Sequence, residues 1–143
     1  MDHLASKTRI ARVYCDIGQV DMAELIQREV LAGYDDSSHN NHPFRIAGQV
    51  FLAEILGSKG SFKEAADLSQ DAEEKCSVAL GDLHPLYTDA IRVLARAYDG
   101  MGDLEKAISK GEHVELLSSR NLPKDHSVLI QDMTTLGIRY YRR

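Results

Sequence analysis

Residues 84–107 read HPLYTDAIRVLARAYDGMGDLEKA. The same landmarks stand 42 positions earlier, where residues 42–65 read HPFRIAGQVFLAEILGSKGSFKEA. Both stretches carry a His-Pro start, a Leu-Ala pair, a glycine and an alanine at matching places, and His126 continues the period. A fixed period of this size indicates stacked supersecondary units. We therefore divide the single array into repeats at about 1–41, 42–83 and 84–125, with a partial repeat at 126–143.

Within each unit the apolar residues follow a helical spacing that a glycine interrupts. In the second repeat they fall three and four residues apart, stop at Gly60 and then resume. The pattern predicts a helix A, a tight turn and a helix B. Ser61 with Glu64 predicts a capping box at the start of helix B. Pro43 and Pro85 suit the first position of each helix A, because that position needs no N–H donor.

Composition and charge exclude several classes of function. The chain has 143 residues and a net charge of −5, with no basic block besides the Arg142-Arg143 pair. Duplex nucleic acid and anionic membrane surfaces are therefore poor partners. No apolar run approaches the roughly 20 residues that span a bilayer, and the first residues do not resemble a signal segment. We expect a cytoplasmic, intracellular protein in which Cys15 and Cys76 stay reduced.

The sequence predicts neither a catalytic nor a metal site, and we expect no cofactor. His42, His84 and His126 fall in successive repeats, whose helix layers lie roughly 8–10 Å apart, too far for joint ligation. We assign these histidines to the repeat junctions. No serine or cysteine is placed beside a base in a known catalytic arrangement. The chain is therefore predicted not to be an enzyme.

The pattern Leu-Ala-x-x-Tyr-x-x-x-Gly-x-x-x-x-Ala, found at residues 94–107, resembles the tetratricopeptide repeat (TPR). The 42-residue period and the junction LGDLHP at residues 80–85 resemble the longer variant of kinesin light chains and of many nucleotide-binding receptor-type proteins. The resemblance covers essentially the whole chain. It implies an all-α fold, a right-handed α-solenoid of helix-turn-helix repeats.

The resemblance also implies a protein-interaction module with a peptide or partner segment in a concave groove lined by helix A residues. Transferred position by position, that groove would be lined by Thr8, Arg12, Cys15, Asp16, Ala47, Val50, Glu54, Ser58, Asp89, Arg92, Arg96, Asp99, Gln131, Thr134, Ile138 and Tyr141. Independently, Arg92, Arg96 and Asp99 share one helical face outside the repeating apolar set. Arginine pairs suggest a ligand with carboxylates. Kinesin light chains carry an asparagine-rich pair before Leu-Ala, where this chain has Val50-Phe51 and Arg92-Val93, so their cargo specificity does not transfer.

Three alternatives stand beside the scaffold. Arg12, Glu54 and Arg96 occupy equivalent positions and could pair with one another across the groove instead of binding a ligand. The last helix has no helix B after it, so its open face could mediate self-association. Alternatively, the chain is the repeat domain of a larger receptor-type or enzymatic protein.

Overall fold

The computed structural model describes residues 2–34, 42–121, 136–138 and 141. It contains six α-helices, which we label α1 (Asp2–Asp16), α2 (Val20–Tyr34), α3 (Pro43–Lys59), α4 (Phe62–Ala79), α5 (Pro85–Gly100) and α6 (Leu104–Asn121). Residues 136–138 are also helical, and no strand occurs in the described ranges. Each helix packs on its neighbour in the chain, and α3 also contacts α5. The predicted all-α solenoid of helix pairs is confirmed, and none of the described helices is long and apolar enough to cross a membrane.

The turn inside each helix pair is built around a glycine, as the sequence predicts. Gly18, Gly60 and Gly102 have φ angles of 86°, 87° and 81°, in the left-handed region that other residues resist. In every turn the N–H of the residue after the glycine donates to a carbonyl five positions back, at 2.8–3.0 Å. This bond closes the end of helix A and starts helix B in the same way in all three repeats.

The junction histidines are helix N-caps, a role that the sequence analysis leaves unspecified. Nδ1 of His42 accepts a hydrogen bond from the Phe44 N–H, and Nδ1 of His84 accepts one from the Leu86 N–H, both at 3.1 Å. The proline that follows each histidine occupies the first turn, as predicted. Each His-Pro pair therefore starts its helix A by satisfying one backbone donor and removing another.

The predicted capping box at Ser61 is wrong. Its hydroxyl makes no capping hydrogen bond, and its ψ of 62° departs from the extended backbone that suits an N-cap. Glu64 instead pairs with Arg28 of the preceding repeat, at 2.9 Å. The equivalent Asp103 does cap its helix, because its Oδ1 accepts from the Lys106 N–H at 3.3 Å. A contact between repeats thus replaces a local contact in one turn of the array.

The core lies between the helix layers and mixes large and small side chains. Leu56 and Leu94 are 1% and 0% exposed, as the register predicts. Tyr98 is only partly buried and packs against the same cluster. Buried alanines, each at most 1% exposed, recur at equivalent positions of the repeats, namely Ala23, Ala65 and Ala107 on helix B and Ala53 and Ala95 on helix A. No helix pair covers its apolar face alone, so the stability of each repeat depends on its neighbours.

Contacts outside the core also join successive repeats. Glu24 of α2 accepts a hydrogen bond from the Lys59 ammonium of α3 and another from Arg28 of its own helix. Further along, the Phe62 ring of α4 lies against Gly100 of α5, so closely that a Cβ on this glycine would come within 2.4 Å of ring atoms. The second and third repeats can therefore make this contact only because residue 100 has no side chain.

Candidate functional site

A cleft of about 290 Å³ lies where α1, α3, α4 and α5 meet. Two of the predicted groove residues, Glu54 and Arg96, line it, together with Cys15 and Ser58 from the wider predicted set. Its apolar lining comes from Ala53, Gly57, Phe62, Ala65, Val93 and Ala97. The cleft thus combines opposite charges at its edge with small apolar side chains that leave room for a ligand group.

The charges along this face alternate from repeat to repeat. Arg12, Glu54 and Arg96 occupy equivalent positions, one on each helix A. All three side chains reach solvent, but Glu54 does so from the lining of the cleft, where part of the side chain is covered. Burial of the carboxylate in the cleft raises the pKa of Glu54, and the charges of Arg12 and Arg96 oppose this shift without cancelling it. Loss of water around the carboxylate therefore outweighs the attraction of the flanking arginines.

Direct pairing across the groove does not occur in the structure. Within residues 2–34 and 42–121, no two of Arg12, Glu54 and Arg96 form an ion pair with each other. The Arg12 guanidinium stacks instead over the Phe51 ring, with 4.2 Å from Cζ to the ring centroid. Stacking orients the guanidinium and leaves its N–H edge available for hydrogen bonds.

Phe51 is a supporting residue that the groove assignment missed. Its ring is 5% exposed and packs with Ala11 and Ile55 between α1 and α3. It occupies one of the two places where kinesin light chains carry asparagine. Phenylalanine in place of asparagine was the feature of the sequence that could have indicated this role, because an aromatic ring there can hold an arginine from the preceding repeat.

Other predicted groove residues have different surroundings. Val50 is 3% exposed, packs in the main core cluster and is not among the residues that line the cleft. Arg92 pairs with Asp89 on its own helix at 2.8 Å, and its side chain is 18% exposed. Its charge still acts on Glu54, although less than that of Arg96. Arg92 therefore supports the electrostatics of the cleft from beside it.

The remaining predicted positions are spread along the helix A row. Thr8 and Asp99 are half-buried and have polar or electrostatic partners, and Asp16 is exposed. Ile138 is 52% and Tyr141 94% exposed. Thr134 and Gln131 lie outside the described residues. The structure thus brings Glu54 and Arg96 together with Arg12 beside them.

A second exposed surface lies on α1. Ile10 and Val13 of α1 are 49% and 58% exposed, and Ile17, in the turn directly after the helix, is 64% exposed, so the three follow one another at intervals of three and four residues. The equivalents of the first two in the next repeat, Leu52 and Ile55, are 2% and 0% exposed. In the later repeats a preceding helix pair covers these positions, whereas on α1 they form an apolar stripe that faces solvent.

Paired antiparallel helices, left-handed turn glycines and a cleft on the helix A face define the class of this chain as an α-solenoid of TPR-like repeats. Comparison with solved structures makes the likeness specific. A putative kinesin light chain from Podosopora anserina, with nearly identical TPR-like repeats, matches with a TM-score of 0.89 and 28% identity over 96% of this chain. BtubC (BKLC) from P. vanneervenii matches with a TM-score of 0.85 and 18% identity, which shows the fold alone. The described helices therefore form TPR-like repeats similar to those of kinesin-light-chain structures.

The chain spans 65% of the length of the first of these structures and 55% of the second. No protein-family model matches the chain, and the comparison with curated proteins gives no match.

Proposed function

We propose that this chain is a non-catalytic protein-interaction scaffold that binds an extended peptide segment in the cleft between the helices A. The observation that carries the proposal is an apolar cleft lined by Glu54 and Arg96, with Arg12 beside it on Phe51 and no ion pair among the three in the described ranges. Exposed ion pairs stabilise a fold by at most about 1 kcal/mol, so the fold does not require these three charges to pair with one another. Their separation suits a ligand that supplies the missing partners.

The chemistry of the cleft favours a ligand that combines carboxylates with an apolar side chain. Arg96 lines the cleft, and Arg12 is oriented by Phe51. Guanidinium groups hold carboxylates through two parallel hydrogen bonds, which supplies direction as well as energy. An apolar side chain of the ligand would contact Val93 and Ala97 in the lining. Arg92 stays in the proposed site as a neighbouring charge held by Asp89.

Selection of peptides against the immobilised chain tests the proposal. A random peptide library is panned on the wild type, and the affinity of each enriched peptide is measured by fluorescence anisotropy on wild type and variants. We expect acidic residues beside apolar ones among the enriched peptides. Arg12→Glu with Arg96→Glu should abolish their binding while the melting temperature and helical circular dichroism stay close to those of the wild type.

The matched control is Lys63→Glu, which reverses an 87% exposed charge on α4 that does not line the cleft. Peptide binding that survives the double reversal, or is lost equally in the Lys63 variant, would contradict the cleft assignment. Arg92→Glu should weaken binding less than Arg96→Glu, because Arg92 already has a carboxylate partner. A larger effect of the Arg92 substitution would make Arg92, and not Arg96, the main anchor.

Self-association is a second candidate, and the apolar stripe on α1 favours it. A second copy offers the same stripe, so Ile10, Val13 and Ile17 of two chains could cover one another in a two-fold contact. The surface initially expected for this role, on the last helix, lies mostly outside the described residues, although Leu136 is buried at 4% exposure. Size-exclusion chromatography with light scattering should then show a dimer that Val13→Glu converts to a monomer. A monomeric wild type would contradict self-association and leave peptide binding in the cleft as the proposed function.

We also propose that the chain works in the cytoplasm, on the grounds of its acidic composition and reduced cysteines. Imaging of a fluorescent fusion of the full gene product would test the location. Recovery of that product in a secreted fraction would contradict it.

A further inference from the structure

The cleft carries an ordered pattern of charge that constrains its ligand more than the presence of arginine does. Arg12, Glu54 and Arg96 follow one another at the 42-residue period, so each sits at the same height on a successive helix A. The sign along this row is positive, negative, positive. Glu54 and Arg96 line the same cleft, and Arg12 stacks on Phe51 of the helix that carries Glu54, so the three charges belong to one continuous surface.

Geometry sets the spacing at which an extended chain would meet this row. Neighbouring packed helices lie about 8–10 Å apart. A peptide in the polyproline II conformation advances about 3.1 Å per residue with three residues per turn, so three residues cover about 9 Å and every third side chain points to the same side. A segment that crosses the helices A would therefore present every third residue to successive positions of the row. The row reads the same in both directions, so the match holds for either orientation of the peptide.

The central glutamate gives the pattern its selectivity. A groove with arginines alone would accept any acidic segment, whereas Glu54 repels a carboxylate placed beside it. Glu54 lines the cleft, and partial burial there raises the pKa of its carboxyl group, so a cationic partner at this position would be favourable. A cationic group from the ligand would replace the lost hydration. Uniformly acidic and uniformly basic segments would each meet at least one like charge.

We propose, on the basis of the peptide-binding function above, that the cleft selects segments in the polyproline II conformation with an acidic residue, two intervening residues, a basic residue, two more residues and a second acidic residue. The two acidic side chains pair with Arg12 and Arg96, and the basic one pairs with Glu54. Intervening small apolar residues contact Val93 and Ala97. This order of charge, rather than net charge, distinguishes ligands from other acidic peptides.

Three fluorescein-labelled peptides of identical composition and net charge test the inference. One has the acidic-x-x-basic-x-x-acidic order, one has the same three charged residues adjacent, and one has the basic residue at an end, with alanine and valine elsewhere. Anisotropy titrations should give at least about tenfold tighter binding for the first peptide, equivalent to about 1.4 kcal/mol. The preference should decrease as salt is raised, because the partners are charges at an exposed edge.

A charge-swapped variant provides the decisive comparison. Arg12→Glu, Glu54→Lys and Arg96→Glu together should reverse the preference. A basic-x-x-acidic-x-x-basic peptide should then bind more tightly than the acidic-x-x-basic-x-x-acidic peptide. Lys63→Glu should leave the original preference unchanged, and circular dichroism and melting curves should show that each variant is folded. Failure of the swap to reverse the preference in a folded variant would overturn the inference.

The failure of the inference and that of the proposed function give different results. Equal binding of all three peptides to the wild type, lost in the Arg12→Glu and Arg96→Glu variant, would leave the cleft as a peptide site and overturn the order of charge. Absence of binding by these peptides, together with no enrichment from the random library, would overturn both.

Discussion

Gly100→Ala is the sharpest test of how the second and third repeats fit together. A Cβ at residue 100 would lie 2.4–2.6 Å from three atoms of the Phe62 ring. Carbon atoms of packed side chains normally stay about 3.5–4.0 Å apart, so the ring must retreat by about 1 Å or rotate. Extra methyl groups forced into well-packed sites destabilise by about 1–3 kcal/mol. We expect the variant to lose stability in that range, although alanine favours helix more than glycine does.

Urea and thermal unfolding followed by circular dichroism measure this loss. For a chain of this size each kcal/mol lowers the melting temperature by about 2–4 °C. Gly57→Ala is the matched control, because it also lies in a helix A but its added Cβ meets nothing within 4 Å. That variant should be unchanged or gain up to about 1 kcal/mol from helix propensity.

A double-mutant cycle with Phe62→Val separates steric conflict from a general effect at residue 100. Replacement of the ring by a smaller side chain should make Gly100→Ala nearly neutral, with a coupling energy of about 1–2 kcal/mol. The reasoning would be refuted if Gly100→Ala were as stable as the wild type. Additive effects of the two substitutions, within about 0.5 kcal/mol, would refute it as well.

Three further predictions concern stability. Gly60→Val should destabilise by about 1–3 kcal/mol in urea titrations, because valine resists a φ of 87°, and a melting temperature within a degree of the wild type would contradict this. Leu94→Ala should cost about 2–5 kcal/mol through the cavity it leaves, since Leu94 is 0% exposed; a small loss would place this residue outside the core. Hydrogen bonds from Lys59 and then Arg28 lower the pKa of Glu24 below 4.5, so its contribution to stability is present above pH 4.5 and is lost as the pH falls through the lowered value. Melting curves at pH 7 and pH 3 should therefore differ less for Glu24→Gln than for the wild type, and an unchanged difference would show that this carboxylate does not contribute.

Features encoded within a few residues could be read from the sequence. The period, the turn at Gly60 and the prolines after His42 and His84 follow from backbone preferences that need no distant partner. The cap at Ser61 could not be predicted, because Glu64 finds Arg28 from another repeat, and that pairing depends on how the repeats stack.

The same distinction holds for the cleft. Equivalence of Arg12, Glu54 and Arg96 follows from the period alone, and their common surface could be expected. The stacking of Arg12 on Phe51 and the burial of Val50 depend on the rotation of each helix about its axis. The repeat pattern fixes that rotation only to within a neighbouring residue, so a position assigned to the groove can turn out to belong to the core.

The contact of Phe62 with Gly100 means that the repeats are not interchangeable units. One repeat earlier, the equivalent positions hold Val20, which is smaller than phenylalanine, and Ser58, which is larger than glycine. A tandem duplication of the second repeat would bring Phe62 against a serine in place of the glycine. The second repeat is thus matched to the third by the sizes of the side chains that meet at their boundary, and this match helps to fix the order of the repeats along the chain.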